Sequence, residues 1–484
     1  MAYTLTMKFG GTSVGDETAI RQVIGIVGQN HRPPARRVVV VVSALSGTTD
    51  LLLVGAQSAG DGEAGRAAEV SDEVRRAHQR VIDALAGDEA AALTGDIGGL
   101  LDRYLSTCER IRSLGGSTPL LLDEAVGIGE RMGARLVAAA LRQAGIQASA
   151  YDSDAFIVTD DRHQNATPLM KPTRAKLRRA LGPVLNRGEV PVVTGYIGAT
   201  QAGVPTTLGR GGSDYSASIV GACLETDEVW IWTDVDGVMS ADPRLVADAH
   251  SIPFISYGEV AELAYFGAKV LHPRCIRPVV ERRIPLRVKN TFNPTHPGTL
   301  IGPDGHRNGG LKAVSAIPHV SLINVEGNGM LGVPGIAART FGAVARTGTN
   351  VLLISQASSE QSICFTVPQS QAAVAAEALR DEFRLEIERR DIDQVSVKEG
   401  ATIVTLVGEG MLSRPGIAGS IFTATGQAGI NVIAIAQGSS DCGISLVVDG
   451  SRGKEAVQVI HAAALERNVP VKSDVPMEVN VDEG

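Results

Sequence analysis

One stretch of this chain occurs twice. "GNGMLGVPGIAARTFGAVARTGTNVLLISQASSEQSI", residues 327–363, returns as "GEGMLSRPGIAGSIFTATGQAGINVIAIAQGSSDCGI", residues 408–444. Pro334 and Pro415, Asn350 and Asn431, Gln356 and Gln437, and Ile363 and Ile444 all stand at one offset of 81 positions, without a gap. A gapless repeat of this length means two copies of one small domain. Each copy reads as strand, glycine loop, helix, a G-x-N-V turn, strand, a Q-x-S-S turn and strand.

The first 300 of the 484 residues follow another rule, alternating short β-branched runs with helical stretches. "YTLTMKF", "RRVVVVVSAL", "VPVVTGYIG", "EVWIWTDV" and "IPLRVKN" are the strand candidates. Near-continuous apolar runs separated by helices predict a parallel sheet covered on both faces. Between the second and third runs, Val70, Val74, Ala77, Val81 and Leu85 recur at helical spacing, a packing stripe. Around His296–Gly310 the text turns to Gly, Pro, Asp and Asn, loop chemistry that marks a domain boundary.

Polar residues close the apolar runs: Lys8 with Gly10 and Gly11, then Ser43, Thr194 with Gly195, Thr233 with Asp234, and Asn290. In open α/β sheets ligands bind beyond the carboxyl ends of the strands. In "MKFGGTSVGD" the lysine precedes the glycines, and bare backbone N–H groups after it suit an anion at a helix start. "TLGRGGSDYSAS" repeats the arrangement with Arg210, two glycines, and Ser213 and Asp214 as helix N-cap candidates. Either loop alone is as readily a tight turn; two, each with a cation beside it, predict a phosphate site.

The net charge of -8, without a long basic run, argues against nucleic acid or an anionic membrane as partner. Five scattered cysteines read as reduced thiols, and no basic-then-apolar leader is visible, so a soluble, cytoplasmic protein is expected.

"KFGGTSVG", "TLGRGGSDYSA", "WTDVDGV" with "DPR", and "ELAYFGAKVLHPR" resemble the signature segments of the aspartokinases, in the amino acid kinase superfamily. The repeats resemble their paired ACT regulatory domains. Nearly the whole chain is covered. The resemblance implies an amino acid kinase fold, a parallel-rich α/β sheet between helices, followed by two α+β ACT domains. The expected layout is a catalytic domain at 1–300 with a helical insertion at about 50–125, a linker at 301–318, and ACT domains at 319–400 and 401–472. A strand at 473–481 is a candidate to complete the first ACT copy.

By the same resemblance the reaction is ATP + L-aspartate to 4-phospho-L-aspartate + ADP with Mg²⁺, the first step towards lysine, threonine and methionine. Lys8 and Asp214 would be catalytic. Lys8, Gly10, Gly11, Ser13, Thr233, Asp234, Met239, Arg244 and Lys269 would hold ATP, and Thr49, Glu130, Arg210 and Ser213 aspartate. No residue cluster for a resident metal is assigned. A carboxylate nucleophile with a pKa of about 3.9 needs no general base, so the lack of a catalytic His or Cys is no gap. "GIGE" at Gly127–Glu130, Asp50 after Thr49, and Met239 depart from the family pattern.

A homodimer or homotetramer through the ACT domains is implied, with a feedback amino acid held near Asn350, Ile354, Gln356, Asn431, Ile435 and Gln437. A glutamine amide both donates and accepts, which favours threonine's hydroxyl over lysine's ammonium. Glu360 and Asp441 keep lysine as the alternative. Another superfamily kinase and a non-catalytic amino acid sensor are the competing functions. Since little more than one strand, "PMEVNVDEG", follows the second repeat, a fused homoserine dehydrogenase is not expected.

Overall fold

The computed structural model describes residues 3–63, 65–268, 271–303, 310–330, 333–356, 361–411, 415–437 and 442–465. The candidate strand at 473–481 lies outside them. Two compact units emerge: 1–238, 251–264 and 269–305 form one, and 239–250, 265–268 and 306–484 the other.

The first unit is built on β1 (Tyr3–Phe9), β2 (Arg36–Val42), β3 (Ala148–Tyr151), β4 (Val190–Thr194), β5 (Glu228–Thr233), β6 (Phe254–Ser256), β7 (Leu286–Asn290) and β8 (Thr299–Gly302). Their order is β3-β4-β2-β1-β5-β7-β8-β6, and the first six in that order run parallel. Val38 to Val42 are all fully buried, as a sheet covered on both faces requires. "VPVVTGYIG" is not one strand. Tyr196 takes a left-handed φ of 64°, and Ile197–Thr200 pairs instead in a separate three-stranded sheet.

Its helices include α1 (Glu17–Asn30), α2 (Thr48–Gly60), α3 (Arg66–Leu85), α4 (Ala90–Leu114), α5 (Pro119–Gln143), α6 (Gly212–Leu224) and α7 (Pro273–Arg282). Asp16 starts α1 by accepting from the Ala19 N–H at 2.8 Å; Thr118 and Pro119 start α5. In α3 the expected stripe is buried at Val70, Val74, Val81 and Leu85, but Ala77 is only half-buried and His78 lies fully inside. His78 Nδ1 donates to the Val74 carbonyl at 2.8 Å, while Nε2 is buried without a partner among the described residues.

Burial holds the His78 ring's pKa below its ordinary 6.5. The unfolded chain therefore takes up a proton that the folded one resists, and stability falls as pH drops below about 6.5. The melting temperature is expected to decline from pH 7 to pH 5, and His78→Leu to shallow that decline; an unchanged slope in a pH series of melting curves would rule this out.

The second unit holds one six-stranded antiparallel sheet: β9 (Leu311–Glu326), β10 (Leu353–Gln356), β11 (Ser362–Pro368), β12 (Gln394–Gly408), β13 (Val432–Gln437) and β14 (Gly443–Asp449), in the order β10-β11-β9-β12-β14-β13. The repeat appears as two mirrored halves meeting at β9 and β12. Its two halves also exchange strand ends. Leu311–Ile317 of β9 pairs with Ile403–Gly408 in the second copy, whereas Ile323–Glu326 pairs with Gln394–Val397 in the first. Residues 311–317, expected in a linker, are thus sheet. Each copy also carries two longer helices, the second unread in the sequence: α8 (Ile336–Arg346) and α9 (Ala372–Glu382), with a short turn of helix at Arg384–Glu388 after it, then α10 (Ile417–Gln427) and α11 (Gly453–Leu465). Ala241 and Val246, from segment 239–250, join the second copy's core beside Val404, Leu406 and Ile460.

Candidate active site

Register puts Phe9 beside Val42 and Trp232, Val42 beside Thr194, and Thr233 beside Asn290. The carboxyl ends of β4, β2, β1, β5 and β7 therefore form one rim, and the polar residues that end these runs share it. Lys8, 9% exposed, sits at its centre. Its Nζ lies 2.6 Å from Asp214 Oδ1, an ion pair with both side chains largely shielded from water. A Cβ on Gly10 would stand 3.2 Å from that Nζ, so a side chain there would crowd the ammonium where it lies over the turn. Ser13, fully buried, shares a 2.7 Å hydrogen bond with Thr291 and donates to the Trp232 carbonyl at 3.3 Å.

On the other side of the rim α5 presses against the end of β2. A Cβ on Gly133 would meet the Ser43 carbonyl at 2.7 Å, and one on Gly129 the Ala44 Cβ at 2.9 Å. This approach brings Glu130, 3% exposed, to the Ala44 backbone N–H. Burial pushes its carboxyl up to about 8, against the lowering pull of backbone N–H groups and Arg131. Glu130 Oε2 has no partner among the described residues. A shielded carboxyl with an open oxygen is poised for a cation.

Thr49 is half-buried in the first turn of α2, and Asp50 beside it is exposed. Gly127 faces the Ile197 methyl, at 3.1 Å from a built Cβ. Arg210 is exposed and has no ion-pair partner among the described residues. Neither Ser213 nor Asp214 caps a helix. α6 begins two residues earlier than a Ser213 cap would place it and three earlier than an Asp214 cap would, with Gly211 as its cap in the left-handed region (φ 71°) and no side-chain cap bond. Asp214 is left free to meet Lys8, and Ser213 lies against Gly195, where any Cβ would come within 2.6 Å.

Beyond β5, Thr233 Oγ1 donates to Asp234 at 3.1 Å. Met239 and Arg244 belong to the second unit, where Arg244 pairs with Asp242 at 2.6 Å. Lys269 lies outside the described residues.

The Amino acid kinase family matches residues 4–290, and the ACT domain matches 323–383 and 404–464. Aspartokinase 1, chloroplastic, of Arabidopsis thaliana is 32% identical over 470 residues, 96% of this chain and 80% of that one. The chain belongs to the aspartokinase family. The bifunctional aspartokinase/homoserine dehydrogenase 1, chloroplastic, of Arabidopsis thaliana is 36% identical over 462 residues, and this chain spans 50% of its length. Two solved structures of E. coli aspartokinase III align over 99% of their chains. One, with aspartate and ADP in the R-state, covers 95% of this chain at TM-score 0.80 and 31% identity; the other, with lysine and aspartate in the T-state, covers 96% at 0.77 and 30%.

Three rim residues of this aspartokinase-family chain escaped the sequence reading. Asp236 accepts from Asn290 Nδ2 at 2.9 Å and Asn293 Nδ2 at 3.1 Å, tying the turn after β5 to the end of β7. Thr291 holds Ser13. Tyr196 is held in its left-handed conformation by Ser216 Oγ on its N–H at 3.0 Å, and Gly212 has no Cβ where the ring passes. The "GG" of "GRGG" was the signal for that last contact.

In the second unit, Ile354 is 49% and Ile435 44% exposed, and Ser355 Oγ donates to the Ile435 carbonyl at 2.9 Å. The outer strands of the two copies, β10 and β13, thus meet one position away from the repeat's own correspondence. Asn350, Asn431 and Gln437 are exposed. Gln356 ends β10; Glu360 and Asp441 lie outside the described residues. No described helix is long and apolar enough to cross a membrane.

Proposed function

We infer that the protein is an aspartate kinase, transferring the γ-phosphoryl group of ATP to the β-carboxylate of L-aspartate. A carboxylate oxygen attacks the γ-phosphorus, the bond to the bridging oxygen breaks, and ADP leaves with the electron pair. No proton moves, because the nucleophile is already ionised. The observation that carries this reading is the Lys8–Asp214 pair beside the Gly10–Gly11 turn, at the centre of a parallel-strand rim. The task is to bring an anion to a polyanion, and Lys8 and Arg210 supply positive charge where it is needed. Glu130 takes the substrate's α-ammonium and Arg210 a substrate carboxylate, with Thr49 and Ser213 as further aspartate contacts. The solved relative holding aspartate and ADP supports both ligands.

Among the described residues no three His, Cys, Asp or Glu side chains converge as a metal cluster. Mg²⁺ is commonly held by one or two carboxylates together with substrate phosphates. Asp214 or Asp234 would serve, and the ion would neutralise phosphate charge.

The exposed Ile354 and Ile435 strands are read as the seat of a chain-to-chain ACT interface and of feedback inhibition, with threonine favoured. The lysine complex of the E. coli relative supports lysine as the second reading. Trapping the acyl phosphate with hydroxylamine tests the whole proposal: hydroxamate is expected with ATP, Mg²⁺ and aspartate, not with glutamate. Threonine should suppress it and Gln356→Ala should relieve that suppression. Suppression by lysine alone would transfer the effector assignment, and hydroxamate from glutamate alone would overturn the substrate.

A further inference from the structure

The start of α6 carries Asp214 yet has no side-chain cap, so something else must hold that turn. The Gly211 carbonyl accepts two donors. One is the Tyr215 N–H at 3.0 Å, the first bond of the helix; the other is the Cys275 thiol at 3.1 Å, from the first turn of α7. Cys275 is 1% exposed, and its own N–H is fixed on the His272 carbonyl at 2.8 Å. The fit is close: a Cβ on Gly211 would stand 3.0 Å from Cys275 Sγ and 3.1 Å from His272 Cβ. Burial and the nearby Asp214 push the thiol up to about 12, so it keeps its proton and stays a donor. Arg274, next in α7, lies over the Tyr215 ring at 5.7 Å and braces the same turn.

We propose that Cys275 is a positioning residue: its thiol, donating to the Gly211 carbonyl, sets the first turn of α6 so that Asp214 meets Lys8 and Arg210 is carried at a fixed place on the rim. The inference rests on the aspartate kinase reading for its kinetic consequence but not for its structural one. Serine in place of cysteine keeps a donor of similar size; alanine removes it and leaves a cavity of one atom.

Two measurements test this. Cys275→Ala should lower kcat about tenfold, the worth of one modest hydrogen bond at the barrier, with KM for ATP and aspartate within about twofold. Cys275→Ser should recover most of that loss. Amide hydrogen exchange over Gly211–Tyr215, read by mass spectrometry without any turnover, should quicken in the alanine variant and return in the serine one. Wild-type kcat in Cys275→Ala, a serine variant as slow as alanine, or activity losses that merely track a lowered melting temperature would each overturn the assignment. If the wild type makes no acyl phosphate, the kinase reading fails while hydrogen exchange still decides the role of Cys275.

Discussion

Lys8→Ala is expected to lower kcat by about a hundred- to a thousandfold, the usual cost of removing one charged stabiliser of the transition state. Lys8 lies over the glycine turn, where phosphate charge would develop. Its charge is balanced by Asp214 at 2.6 Å, and this pair fixes the ammonium over the turn. The melting temperature should fall only by a few degrees, because the pair faces a ligand rim rather than the apolar core. Lys8→Arg should rescue poorly, since a planar fork does not fit the space left by Gly10. Single-turnover kinetics separate chemistry from binding here; a phosphoryl-transfer rate within threefold of wild type in Lys8→Ala would remove Lys8 from the mechanism.

Glu130→Gln should have opposite effects on binding and stability. Losing a shielded charge partner for an ammonium should raise KM for aspartate roughly 30- to 100-fold, about 2–3 kcal/mol. Yet the variant should melt higher than wild type. The folded Glu130 carboxyl titrates near 8, well above the 4.5 of an exposed glutamate. Folding is thus favoured by this group below about pH 4.5, and that advantage is lost as pH rises to 8. Glutamine, which never ionises, avoids the loss, so the gain in melting temperature should grow between pH 5 and 8. The same titration gives wild-type KM a pH dependence. Binding an ammonium requires the ionised carboxylate, so KM should climb as pH falls below about 8, and Glu130→Gln should flatten the profile. A wild-type KM constant from pH 6 to 9, or a variant that melts lower at pH 8, would contradict this account.

Much of the fold could be read from local pattern. Five apolar runs ending in Lys8, Ser43, Thr194, Thr233 and Asn290 announced a parallel sheet and its rim, because burial on both faces demands unbroken apolar strands and leaves polar groups only at their ends. The offset of 81 announced two copies of one domain. These signals need no knowledge of which residues meet. β3, β6 and β8 are three or four residues long, too short for a period to register.

Other features depend on contacts between distant parts of the chain. Asp214 looks like a helix cap in its own neighbourhood, but the left-handed Gly211 starts the helix earlier and turns the carboxylate towards Lys8. His78 rather than Ala77 is buried because the helices packed around α3 (α1, α2, α4 and α5), not spacing alone, choose its inner face. β9 and β12 exchange ends between the two copies, since each half-sheet leaves an edge that the other half is long enough to cover. Glu130 carries the sharpest case. Its type and spacing are visible in "GERM", but its raised pKa comes from desolvation by α5 packed onto β2, a sum over many neighbours that no short stretch of residues contains.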